Sequence, residues 1–145
     1  MVALPKVSID TDLHKNKCFG CGPHNPVGLK LSFTIDGDTL TTECTPDPVF
    51  QGWPGLVHGG ILSLILDEAM NNVIYLNGTT CITASMNIRL RQPVKTGETL
   101  YVTAKITKRS RKLIESKAMI CIEDGAVIAE STSKQYVVEE SNIDD

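Results

Sequence analysis

The longest apolar stretch of the chain constrains its fold more than any other feature. It reads Leu56-Val57-His58-Gly59-Gly60-Ile61-Leu62-Ser63-Leu64-Ile65-Leu66-Asp67-Glu68-Ala69-Met70. Leu62, Ile65, Leu66, Ala69 and Val73 recur at the spacing of one helix face. The flanking positions are apolar as well, which predicts a helix buried on most sides. Ser63, Asp67 and Asn71 form a narrow polar stripe on the opposite side, and Asn77-Gly78 supplies a left-handed stop. An ionised group on a buried helix costs free energy unless something pairs with it or uses it. Asp67 and its neighbour Glu68 are therefore the first candidates for chemistry.

Strand patterns flank this helix. Leu29, Leu31, Phe33 and Ile35 alternate with Lys30, Ser32 and Thr34, and Asp36-Gly37-Asp38 turns the chain into a second strand over residues 39–45. Pro46 and Pro48 end it. Further strands are predicted over 81–92, 100–108, 113–122 and 126–138, as a four-stranded meander. About six strands beside one long central helix make an α+β layer arrangement. Residues 1–145 are expected to form a single domain, with 1–16 a loosely ordered N-terminal arm and the acidic tail 139–145 frayed.

A chain of 145 residues can bury a real core. Its net charge of −3 argues against nucleic acid held by a general positive field. No run approaches the ~20 apolar residues needed to cross a bilayer, so no membrane association is expected. The first residues lack a basic start followed by an apolar segment, which predicts a cytoplasmic protein. Five cysteines do not suggest a disulfide framework, and Cys44, Cys81 and Cys121 fall in strand-like surroundings as core residues. Cys18 and Cys21, with His24 and the upstream His14, have the residue types of a zinc site, or form a plain structural turn.

The motif His58-Gly59-Gly60 with Asp67 nine positions after the histidine strongly resembles the hotdog-fold acyl-CoA thioesterases, the PaaI-like and THEM-like group in particular. Cys18-Phe19-Gly20-Cys21-Gly22 and Asn25-Pro26-Val27-Gly28-Leu29 resemble an N-terminal segment of the same group, and the likeness runs from about Cys18 to Val138. It implies a curved antiparallel sheet wrapped around the helix. It also implies hydrolysis of an acyl-CoA thioester, with Asp67 as nucleophile or as the base activating a water. The Gly59 backbone amide would hold the oxyanion. The bland alternative is that Gly59 and Gly60 merely permit close packing at a helix start. The resemblance further implies an accessory role for His58, a polar amide at Gln51 or Gly52, and a positioning hydroxyl at Thr83, which is otherwise an ordinary strand threonine. It implies neither a metal nor a redox cofactor, coenzyme A entering as part of the substrate.

Helix geometry adds a constraint. Asp67 lies eight residues past Gly59, about 12 Å along one helix at ~1.5 Å per residue. One carbonyl cannot meet both, because attack needs atoms within ~3.5 Å. The acid and the oxyanion donor must then come from different helices, most simply those of two copies of the chain, predicting a homodimer or a dimer of dimers. Glu68 lies about 100° around the helix from Asp67, to pair with an arginine or face solvent.

Substrate contacts are expected from Gly60, Trp53 and Ser63, with an apolar acyl pocket lined by the helix and the loop from Phe50 to Trp53. Arg89, Arg91, Arg109 and Arg111, with Lys95, Lys108 and Lys112, are candidates for the coenzyme A phosphates. Alternatively the basic hairpin tip is simply solvated. Two other functions stay open on the sequence: a non-catalytic acyl-CoA or fatty-acyl binding module, and a hydroxyacyl dehydratase, disfavoured because His58 precedes the helix.

Overall fold

A computed structural model describes residues 16–138. The expected frayed tail, and all but the last residue of the expected N-terminal arm, lie outside the described residues. The elements are β1 (Thr34–Asp36), β2 (Thr39–Cys44), a single 3-10 turn (Pro48–Phe50), α1 (Gly59–Tyr75), β3 (Cys81–Leu90), β4 (Leu100–Arg109), β5 (Leu113–Cys121) and β6 (Val127–Val137). The six strands form one antiparallel sheet in the order β1-β2-β4-β5-β6-β3, with α1 packed on one face. This is the α+β hotdog arrangement.

Helix α1 buries Leu62, Ile65, Leu66, Ala69, Met70, Val73 and Ile74. Within it only Gly60 and Tyr75 are exposed. The alternation in β4 places Leu100, Val102, Ala104 and Ile106 opposite it. Each large apolar side chain so buried is worth roughly 1.5–3 kcal/mol, so the helix is held by its packing on the sheet. Past Tyr75 the chain leaves the helix where the sequence stops it, with Gly78 at φ +94° donating its N–H to the Tyr75 carbonyl at 2.9 Å.

Two expectations are corrected. The last four strands are not a meander: β3 pairs with β6, and β4 pairs with β2 and β5. Residues 91–99 are too long for a tight hairpin. They cross the sheet beneath the start of α1, where the Val57 N–H meets the Val94 carbonyl and the Gly97 N–H meets the Pro46 carbonyl. The first strand is also shorter than its alternation suggests. Leu29 and Leu31 give their N–H groups to Phe19 and Gly20 rather than to β2, and Lys30 at φ +52° breaks the pleat.

The register of β3 against β6 shifts between Thr83 and Ser85, leaving Ala84 as an extra residue. Cys81 and Thr83 pair with Val137 and Gln135, while Met86, Ile88 and Leu90 pair with Ser133, Ser131 and Ala129. All of these partners alternate onto one face of β6. The bulge thus brings odd-numbered and even-numbered residues of β3 to the helix side of the sheet. A strict alternation over this strand would put Thr83 on the opposite face from Met86 and Ile88.

Of the three strand cysteines, Cys44 and Cys81 pack against the core, whereas half-buried Cys121 does not join it. Burial pushes the Cys44 thiol up to about 11. Among the described residues no helix is long and apolar enough to cross a membrane.

Candidate active site

Asp67 sits midway along α1, half-buried, facing the bulged start of β3. Its Oδ1 accepts from Thr83 Oγ1 at 2.6 Å and from Asn71 Nδ2 at 2.9 Å. Asn71 Nδ2 also reaches Thr83 Oγ1 at 2.8 Å, and Cys81 Sγ donates to Asn71 Oδ1 at 3.5 Å. Asp67 Oδ2 has no partner among the described residues. Since no fully buried side-chain oxygen there lacks one, Oδ2 is not sealed off from solvent. One carboxylate oxygen is therefore fixed and the other presented. Burial, then the nearby Asp67 charge, pushes the Cys81 thiol up to about 12, so Cys81 stays a neutral donor at ordinary pH. Asn71 was visible in the sequence only as part of the polar stripe; its spacing of four from Asp67 was the signal for this bond.

The second half of the site is the start of α1. His58 is the N-cap in extended conformation, and its Nδ1 accepts from the Gly60 N–H at 2.8 Å. A neutral ring bonded this way carries its proton on Nε2, as a donor rather than a base. The Gly60 amide, expected among the substrate contacts, is already satisfied by His58. The Gly59 N–H makes no hydrogen bond among the described residues and lies at the positive end of the helix.

Gln51, Trp53, Val57, His58, Gly59, Leu62, Leu90 and Arg91 line a cleft of about 770 Å³. Gln51 Oε1 accepts from the Gly55 N–H at 3.0 Å, tying the loop together and leaving its Nε2 without a partner among the described residues. Trp53 stands at the cleft, 82% exposed. Ser63 Oγ bonds back to the Gly59 carbonyl at 2.8 Å, a use internal to the helix.

The arginines divide. Arg91 lines the cleft and pairs with Glu130. Arg89 lies instead in a groove on the outer face of the sheet, beside Thr132 and Lys117. Arg109 pairs with Asp38 at 2.9 Å, and Arg111 is exposed in the β4–β5 turn. Both stand at the end of the sheet that carries Cys81, opposite the end that carries Leu90, so the structure does not gather the four around one cleft of the chain.

Glu68 corrects its expectation. Its Oε1 accepts from Cys18 Sγ at 3.2 Å and its Oε2 from Asn72 Nδ2 at 3.2 Å, with no arginine partner among the described residues. Of the residues considered as metal ligands, Cys18 and Cys21 come together with Glu68; His24 is exposed outside that cluster, and His14 lies outside the described residues.

Comparison with known proteins places the chain in context. The Thioesterase superfamily matches residues 54–129, more than half of the chain and the whole stretch from the cleft loop to β6. The chain is 26% identical over 131 residues to the acyl-coenzyme A thioesterase THEM4 of Bos taurus, covering 88% of this chain and 54% of that one. It thus spans about half the length of that relative. Its fold is similar to that of the E. coli PaaI protein of the phenylacetic acid degradation operon, with TM-score 0.73, 18% identity, and 78% and 83% of the two chains covered. It is also similar to that of a hypothetical thioesterase of Streptococcus pneumoniae TIGR4 solved with coenzyme A, with TM-score 0.72, 16% identity, and 77% and 88% covered.

Proposed function

Because the chain belongs to the thioesterase superfamily, we propose that it hydrolyses the thioester of an acyl-coenzyme A to a free carboxylic acid and coenzyme A. The observation that carries this reading is a pair of groups on α1 without hydrogen-bond partners among the described residues: Asp67 Oδ2, which is not fully buried, and the Gly59 N–H at the helix start. The activity named for the THEM4 relative, and the coenzyme A in the streptococcal structure, support the substrate class.

In this mechanism the thioester carbonyl oxygen accepts from the Gly59 N–H, which stabilises negative charge as it develops. Asp67 Oδ2 attacks the carbonyl carbon or takes a proton from the attacking water, while Thr83 and Asn71 hold Oδ1 still. The C–S bond breaks and coenzyme A leaves as the thiol. His58, with its proton on Nε2, orients the substrate as a donor, which speaks against a dehydratase built on a histidine base. The reaction needs no metal or redox cofactor.

The two groups lie about 12 Å apart on one helix, so the working site is shared between two copies of the chain. The β3 edge supports this. It is a ten-residue strand bonded on one side only, with Leu90 53% exposed at the cleft. Such an edge invites pairing with a second chain.

Thiol release from a panel of acyl-CoAs, read with a thiol-reactive dye, tests the activity; binding without release would leave only an acyl-CoA binding module. Gly59→Pro tests the oxyanion donor. Proline is favoured at the first helical position and suits the extended His58 before it, yet it removes the N–H. The expected loss in kcat is on the order of 10²–10³. Mixing Gly59→Pro with Asp67→Asn subunits should restore about a quarter of the wild-type rate through two-fold heterodimers with one intact site. No recovery on mixing would overturn the shared site.

A further inference from the structure

We propose that Cys18, Cys21 and Glu68 form a binding site for a zinc-class divalent cation that braces the turn at residues 18–21 against the middle of α1. The Sγ atoms of the two cysteines and a carboxylate oxygen of Glu68 all lie within 4.8 Å of one another. All three residues are half-buried. Around tetrahedral zinc, bonds of ~2.3 Å to sulfur and ~2.0–2.2 Å to oxygen set these atoms roughly 3.5–3.8 Å apart. Cys18 Sγ and Glu68 Oε1 stand at 3.2 Å, so small side-chain adjustments are enough to admit the ion.

The surroundings hold the three groups in place. The Cys21 N–H points at Cys18 Sγ at 3.5 Å, a backbone donor suited to a thiolate. Glu68 is pinned from behind by Asn72. A Cβ on Gly20 would fall 2.2 Å from Glu68 Cγ, and one on Gly22 would fall 2.3 Å from the Cys18 backbone nitrogen. Glycine at both positions is thus what lets the turn close down on the carboxylate. No lysine or arginine among the described residues forms an ion pair with Glu68, so the carboxylate of this pocket has no cationic partner there.

Two thiolates favour zinc over magnesium or calcium, which prefer oxygen ligands. On binding, the cation displaces the two thiol protons to solvent and adds bonds to both sulfurs and to the Glu68 carboxylate; nothing is oxidised or reduced. Three protein ligands leave a fourth position for water. The ion would cross-link residues that are 50 positions apart in sequence. It serves as a structural brace and takes no part in thioester cleavage, so the proposal stands independently of the hydrolase reading.

The test uses the full chain, reduced and stripped of metal by a chelator, then titrated with Co²⁺ and afterwards with Zn²⁺. We expect a thiolate-to-cobalt charge-transfer band saturating at one ion per chain and bleached by zinc. Zinc should shield Cys18 and Cys21 from a thiol reagent and raise the melting temperature. Cys18→Ser and Cys21→Ser should each abolish the band, and Glu68→Gln should weaken affinity by at least about tenfold. A folded wild-type chain with no charge-transfer band would overturn the site, as would affinity unchanged in Glu68→Gln. If the serine variants fail to fold, zinc shielding of Cys18 and Cys21 in the wild-type chain, read by mass mapping of the labelled thiols, decides the matter alone.

Discussion

Thr83 Oγ1 donates to Asp67 Oδ1 at 2.6 Å, joining a strand to a helix, and the extra residue Ala84 is what aims it there. Without the bulge, the alternation that puts Met86 and Ile88 on the core face would turn Thr83 outward. Thr83→Val should leave Asp67 held by Asn71 alone and lower kcat by about tenfold, worth ~1.4 kcal/mol, with KM little changed. Thr83→Ser should restore the rate. Steady-state kinetics beside circular dichroism separate these outcomes.

Asp67→Asn retains the shape of the side chain and removes the charge. Its kcat should fall by a factor on the order of 10²–10⁴ while the melting temperature changes little. Wild-type turnover in this variant would remove Asp67 from the mechanism.

His58 caps α1 through its ring nitrogen, so truncation leaves the Gly60 N–H without its partner. His58→Ala should destabilise the fold by about 0.5–2 kcal/mol in urea unfolding. His58→Asn, another good cap, should recover most of that stability but not the Nε2 donor. A split between stability and activity in the two variants is the expected signature.

Arg91 is the basic residue that lines the cleft, and its pairing with Glu130 competes with any phosphate. Arg91→Ala should raise KM for acyl-CoA by about two- to fivefold, the scale of an exposed charge contact. Glu130→Gln frees the guanidinium and should lower KM. Both effects should fade with added salt.

The raised thiols set an alkaline limit on stability. Cys81 titrates at about 12 in the fold against an ordinary 9.0. Between those values the unfolded chain has lost a proton that the folded chain keeps, so stability falls as pH rises through this window. The urea midpoint should decline above pH 9, and less steeply in Cys81→Ala.

The sequence by itself determined α1, the strand segments and the acid within the helix. Periods of 3.6 and 2 belong to the backbone, so Leu62 to Val73 and Leu100 to Ile106 reveal their buried faces without reference to anything distant. Only the tertiary structure decided strand order, the Ala84 bulge, the use of the Gly60 amide by His58, and the meeting of Glu68 with Cys18. Each of these depends on which surfaces pack together, and alternation carries no label for its pairing partner. Glu68 is the clearest case. One turn of helix geometry placed it off the Asp67 stripe, but the thiol it meets arrives from a turn fifty residues earlier.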